Sequence, residues 1–475
     1  MTTSTQAFHE AEHMGPKEQI TIVLVPIGAL GLGIDEGDVE RGIAAGAHAI
    51  ACDAGSTDSG PAYLARGVAK YSRAAVKADL AILMRAREEA GIPLLIGSCG
   101  TSGCDQSLDW TRDIALEIAR EHGLAPRIAL LYSEQDPQQL ARSAAEGKVA
   151  PLPPMDSAKP ELFRSCERIV ALMGPEPYAA AIEAGAGIVL GGRTTDTAVL
   201  ATVPLMRGAG AGPSWHAGKV AECGALCTVR PREGGVLIRV GRTSFDIEPL
   251  RPGNRCTPHT VSAHMLYENS NPFQLHEPGG MLDVTQASYT ALDERSVRVT
   301  GSVFAPRPYT MKLEGATSGG WQTLMLVGIQ DRRVLADIDG FLRKMHEVLT
   351  QRVRFAMGDT AGDFHISLRP YGWNAVSGLR VAAHVPPPPE IGLMFVATAS
   401  TQELATQIAK TCNPWFFHLP VDEDQELPSY GFPFSPAELE RGQVFQFKLN
   451  HVVSVAHPME LVRTEFVQVE ATAHA

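Results

Sequence analysis

The stretch "SRAAVKADLAILMRAREEAGIPLLIG", Ser72–Gly97, decides the fold. Its first part has apolar residues at helical spacing and stops at a glycine, Gly91, and "IPLLIG" then reads as a strand buried on both faces. The same alternation runs outward in both directions. Upstream lie the strand "ITIVLVP", a glycine loop, the helix "VERGIAAGA" and the strand "HAIAC"; downstream lie the helix "LDWTRDIALEIAREHG" and the strand "RIALLYS". After a Pro-rich interruption, "APLPPMDSAKP", it resumes with "ERIVALMG", "PYAAAIEAGA" and "GIVLGG". Helices between nearly continuous apolar strands predict an α/β fold with a doubly wound, mostly parallel sheet.

Beyond about Ala221 the texture changes. "GGVLIRVGRTSFDIEPL", "SVRVTGSVFAPRPYTMKLEG" and "QTLMLVGIQDRR" read as antiparallel strands, "LADIDGFLRKMHEVLTQRV" as an amphipathic helix, and "VPPPPEIGLMFVA" as a Pro-rich hinge followed by more strand. The expected organisation is therefore an α/β domain with ligand-binding loops at 19–220, an α+β domain at 221–385, and a C-terminal segment at 386–475 packing on it. A length of 475 residues fits two or three domains.

Composition narrows the class. A net charge of -12 argues against a nucleic-acid footprint or a polybasic membrane surface. The segment "MTTSTQAFHEAEHMGPKEQ" lacks the apolar core of a signal peptide, and no run reaches transmembrane length, so a reducing cytoplasm is the expected location. The eight cysteines follow no disulfide framework and no paired CxxC zinc pattern. Cys223 and Cys227 form a C-x-x-x-C unit without a second ligand pair nearby, and are read as apolar packers.

In a parallel sheet the loops after the strands open on one edge, where ligands bind near helix N-termini. Five such loops are rich in Gly, hydroxyls or carboxylates: "IGALGLG", "CDAGSTDSGP", "GSCGTSGCDQS", "SEQDP" and "GGRTTDT". The first has G-x-x-G-x-G spacing and reads as a tight turn rather than a dinucleotide fingerprint. The second supplies Asp53, Ser56 and Asp58, and the third supplies Ser98, Gly100 and Thr101 as a cradle for an anion, with Cys99 as a packed thiol. Arg193 in the last is either a carboxylate clamp or one half of an internal salt bridge to a rim aspartate.

In "HMLYENSNPFQLHEPGG", His264 and Glu268 share a face if the segment is helical, which suits a general base with its orienting carboxylate, two metal ligands, or a pair tying helix to sheet. Lys312 and Glu314 in "YTMKLEGA" face one side of a strand and read as an exposed ion pair.

Taken together, "CDAGSTDSGP", "AGIPLLIGSCGTSG", "RIALLYSEQ", "GGRTTDT", "LYENSNPFQLHEPGGMLD", "YTMKLEGA", "TQELA" and "FPFSP" resemble the acyclic terpene utilisation AtuA family, from roughly Ile22 to His451. The resemblance implies a cytoplasmic protein of carbon catabolism, assembled as a homo-oligomer or with a small separate subunit. The loop "IGALGLGID" departs from the "GAGF"-like form of the terpene members.

The expected function is that of a lyase, a hydratase or dehydratase of a small hydroxy di- or tricarboxylic acid. Backbone donors and Arg193 hold the carboxylates, His264 oriented by Glu268 removes a proton, and Asp53, Asp58 or Glu134 protonates the departing hydroxyl. A divalent metal such as Mg²⁺ on rim carboxylates would assist, although no ligand set demands it. The rivals are a carbon–carbon lyase on a similar acid and a non-catalytic large subunit whose small partner carries the chemistry.

Overall fold

A computed structural model describes residues 19–470 apart from 56, 58 and 383. Most of the segment expected to lack a signal peptide, and the expected site residues Ser56 and Asp58, lie outside the described residues. The chain divides into two compact units, one formed by the segments up to Ala316 and from Phe447, the other by Thr317–Gln446. The sequence's texture places its boundaries instead at 220/221 and 385/386.

In the first unit the deciding stretch folds as the helix Arg73–Ala90 and the strand Leu94–Gly97. Ser72 caps the helix by accepting a hydrogen bond from the Ala75 N–H at 3.2 Å, and Gly91 ends it in the left-handed conformation, φ 64°. Five strands run parallel at the centre of a ten-stranded sheet, in the order Thr21–Val25, Ala49–Asp53, Leu94–Gly97, Ile188–Gly191, Arg127–Tyr132. Alternate residues of these strands feed two cores: Leu94 and Ile96 pack with Leu80 and Leu83 on one face, while Leu95 packs with Val199 and Leu200 on the other. Burial on both faces is the reason the strands read as unbroken apolar runs.

The antiparallel texture after Ala221 has its physical origin in the edges of this same sheet. Val236–Val240 pairs antiparallel with Thr21–Val25 and is followed outward by Ser244–Pro249, Val297–Thr300 and Ser288–Ala291. At the other edge Arg463–Gln468 pairs antiparallel with Arg127–Tyr132.

In the second unit, His365–Tyr371, Ile391–Ala399 and the Trp321–Ile329 portion of a long strand pair antiparallel. The helices Ile338–Met357 and Gln402–His418 cover one face, burying Phe341, Met345, Ala405 and Ile408 against Met325, Val327 and Phe395. No helix among the described residues is long and apolar enough to cross a membrane.

Candidate functional site

The first glycine loop holds an anion, and that anion is internal. The backbone N–H groups of Gly31, Gly33 and Ile34 donate to the Asp79 carboxylate at 2.8, 3.1 and 2.8 Å. Asp79 thus takes the place a ligand phosphate would occupy. Gly28 in the same loop lies against the main chain of Cys223, where an added Cβ would come within 2.6 Å of the carbonyl carbon. Gly28→Ala is expected to lower stability by about 1–3 kcal/mol through overpacking. Denaturant unfolding checks this, and an unchanged midpoint would refute the close contact.

Two cavities of about 960 and 670 Å³ open in the first unit, and both are lined by Asp196, Glu222 and Glu268. Asp53 and Cys223 belong to the larger, while Arg193, Lys219, Glu277, Lys312 and Glu314 belong to the smaller. The residues come from the ends of elements. Asp53 closes its strand, Arg193 follows Ile188–Gly191, Asp196 opens the helix Asp196–Met206, and Glu222 and Cys223 follow the helix Ala211–Ala221. That last helix is buried from Gly212 to Ala221, and Gly218 lets it approach the neighbouring helix so closely that a Cβ would sit 2.7 Å from the Thr197 carbonyl oxygen.

Arg193 resolves in favour of an internal pair, though with Glu314 rather than a rim aspartate as its nearest partner. Its Nε donates to Glu314 Oε2 at 3.0 Å and its Nη1 to Ser98 Oγ at 3.1 Å, with Asp196 Oδ1 at 3.5 Å. Both Arg193 and Glu314 are buried. Lys312 donates to the other Glu314 oxygen at 3.0 Å. The Lys312–Glu314 pair is therefore exposed only at the lysine: strand alternation puts both on one side but does not say which side faces protein.

Carboxyl groups outnumber cations along these walls, and burial disfavours their charged forms. Burial, then Asp196, pushes the Asp53 carboxyl well above the usual range against the pull of Arg193. One Asp53 oxygen accepts from the Gly55 N–H at 2.9 Å; the other is buried with no partner among the described residues. Burial likewise raises Asp196 and Glu222, although Arg193 draws the first down and Lys219, paired with Glu222, draws the second. Burial pushes Glu277 up to about 7, against the pull of the neighbouring threonine hydroxyls and of Lys219. Glu314 goes the other way: burial would raise it, but Arg193 and Lys312 hold it down at about 2.

His264 is buried, and burial and then Lys219 lower it to about 4, so it is neutral at pH 7. It begins a short 3-10 turn, His264–Leu266, and Glu268 follows in the left-handed region, φ 57°. The helix needed to align the two residues on one face has ended before Glu268. Donor atoms of Glu222, Cys223 and His264 lie within 4.8 Å of one another, a set that could hold a metal ion. Cys223 is set apart from Cys227, which is buried in the core and donates weakly to the Gly224 carbonyl.

Of the residues expected from sequence, Asp53, Arg193 and Glu268 reach the cavity walls, Ser98 stands behind Arg193, and His264 stands beside Glu222 and Cys223. Gly100 and Thr101 border only voids of about 10 Å³; Thr101 Oγ1 accepts from the Lys70 N–H at 3.3 Å. Glu134 is engaged elsewhere, accepting from the Asp105 N–H at 3.0 Å and from Arg168 Nη1 at 2.9 Å. Cys99 is buried, and burial pushes its thiol up to about 12, as suits a packed residue. Lys219, Glu222 and Asp196 were not anticipated. Asp196 sits in the rim loop "GGRTTDT", and the one sequence signal for the other two is a lysine and a glutamate in the largely apolar "AGPSWHAGKVAEC".

No curated protein and no solved structure gave a match. Residues 69–230 and 244–420 match the family described as acyclic terpene utilisation family protein AtuA, a span that includes Arg193, Lys219, Glu222, Cys223, His264, Glu277, Lys312 and Glu314 and leaves out Asp53. Since this is well over half of the chain, the chain belongs to the AtuA family.

Proposed function

We propose that the chain is a hydro-lyase that removes water from, or adds it to, a small acid bearing a hydroxyl and two or three carboxylates. The observation that supports this most is a pair of cavities that share Asp196, Glu222 and Glu268, with Arg193, Lys219, Lys312 and Glu277 lining the smaller and Asp53 the larger. Lys312, with 40% of its side chain exposed, offers an ammonium to a substrate carboxylate. Glu277, held at about 7, exists in both protonation states at neutral pH and suits the transfer of a proton from the carbon beside a carboxylate. The C–H electron pair becomes the new π bond as the C–O bond breaks. Asp53, whose hold on a proton burial strengthens, gives a proton to the departing hydroxide, which leaves as water.

In this assignment the proton-removing role passes from His264, which is on neither cavity wall, to Glu277, and Glu134 takes no part because Arg168 and the start of the helix Asp105–His122 engage it. The resemblance adds a cytoplasmic setting in carbon catabolism and an oligomer or a complex with a small subunit.

The test is to incubate the full chain, with and without the product of a neighbouring small gene, with a panel of hydroxy di- and tricarboxylic acids, and to read products by mass. Loss or gain of one water supports the reading. Two smaller acids point to carbon–carbon cleavage, and turnover by the small partner alone assigns this chain a binding role.

A further inference from the structure

We propose that Glu222, Cys223 and His264 form a binding site for a divalent transition ion of the zinc class. Three different donors, a carboxylate, a thiol and an imidazole, converge from two separate segments, the end of the helix Ala211–Ala221 and the turn His264–Leu266. Their donor atoms lie within 4.8 Å of one another. A tetrahedral ion with bonds of roughly 2.0–2.3 Å holds its donors about 3.5 Å apart, so loading needs a closure on the order of an ångström.

A second, independent observation points to a ligand. His264 is only 6% exposed, and its Nε2 is buried with no hydrogen-bond partner among the described residues. A buried nitrogen with an unused lone pair or proton is unfavourable unless something meets it, and a cation beside Glu222 and Cys223 would do so.

The surroundings favour a dication. On the walls of the smaller cavity five carboxyl groups (Asp196, Glu222, Glu268, Glu277 and Glu314) stand against three cations (Arg193, Lys219 and Lys312). Lys219 opposes the ion, since its ammonium pairs with Glu222. The ion is therefore assigned to the other Glu222 oxygen, which accepts from Thr197 Oγ1 at 3.3 Å, leaving Lys219 as a neighbour that orients the carboxylate. Gly28 packs behind the Cys223 main chain and fixes it. Glu222 and Cys223 also line the larger cavity, so a fourth coordination position opens to it, as in catalytic rather than structural sites.

Donor chemistry selects the metal. Mg²⁺ and Ca²⁺ take oxygen-only shells, whereas thiolate with imidazole suits Zn²⁺, Co²⁺ and their neighbours. The Mg²⁺ expected on rim carboxylates is thus a different ion at a different place. The metal assignment stands whether or not the chain is a hydro-lyase.

The test uses chelator-stripped full-length protein titrated with Co²⁺. One equivalent should bind with a thiolate-to-cobalt charge-transfer band in the near ultraviolet and tetrahedral bands in the visible. Zn²⁺ should abolish both, and excess Mg²⁺ should leave them. Cys223→Ser should remove the charge-transfer band, and His264→Gln should weaken Co²⁺ binding at least roughly tenfold. Absence of the band in the parent, its survival in Cys223→Ser, or unchanged affinity in His264→Gln overturns the assignment. Should Cys223→Ser lose its folded circular dichroism, His264→Gln decides on the same spectrum. None of these readouts requires turnover, so failure here is separable from failure of the product assay.

Discussion

Arg193→Met should lower the stability of the chain by about 3–5 kcal/mol, because it removes one partner of a buried ion pair and leaves Glu314 charged in a poorly solvated place. Arg193 and Glu314 are 6% and 5% exposed, and Lys312 alone remains to compensate. The pH dependence has a definite sign. The folded Glu314 titrates at about 2, below the ordinary 4.5, so its contribution is present above the ordinary value and is lost as pH falls toward the folded one. The gap between parent and variant should therefore be widest at neutral pH and narrow below the usual glutamate range. Denaturant unfolding at several pH values measures this. The double variant Arg193→Met with Glu314→Gln should recover part of the loss, and a gap that does not change with pH would show that the guanidinium acts by packing alone.

Glu277→Gln should reduce kcat by about 10²–10⁴-fold on the acid the chain turns over, the usual range for removing a proton-transfer group, with less effect on KM. The parent's pH profile should bend near the Glu277 value of about 7, and this bend should vanish in the variant. Stability supplies a second readout. The folded Glu277 lies above its ordinary 4.5, so its contribution is fully present below that value and is lost as pH rises through about 7. Glutamine does not ionise, so the variant's melting midpoint should gain on the parent's across that window and hold a constant offset above it. A variant with full activity and no such gain would remove Glu277 from the mechanism.

The parallel core was legible because its strands are covered on both faces, and both Leu95 and its neighbours Leu94 and Ile96 had to be apolar. Its loops were legible as a polar rim for the same topological reason. The edges were harder to read. Val236–Val240 and Arg463–Gln468 join the sheet through backbone pairing with strands more than two hundred residues away, a contact that local periodicity does not encode. The site was legible in part. Arg193 and Asp53 stand at strand ends, where the rule for such sheets looks for ligands. Lys219 and Glu222 escaped notice because a charged pair on a helix ordinarily marks its solvent face, whereas this helix has no solvent face. Glu134 looked available because its partners, Asp105 and Arg168, are about thirty residues away in either direction.

The first unit is discontinuous, its sheet closing only when Arg463–Gln468 is laid beside Arg127–Tyr132. During vectorial synthesis the whole of Thr317–Gln446 must emerge from the ribosome before that seam can form. Until then the nascent chain carries an open sheet margin, and its need for chaperone shelter is greatest in this interval.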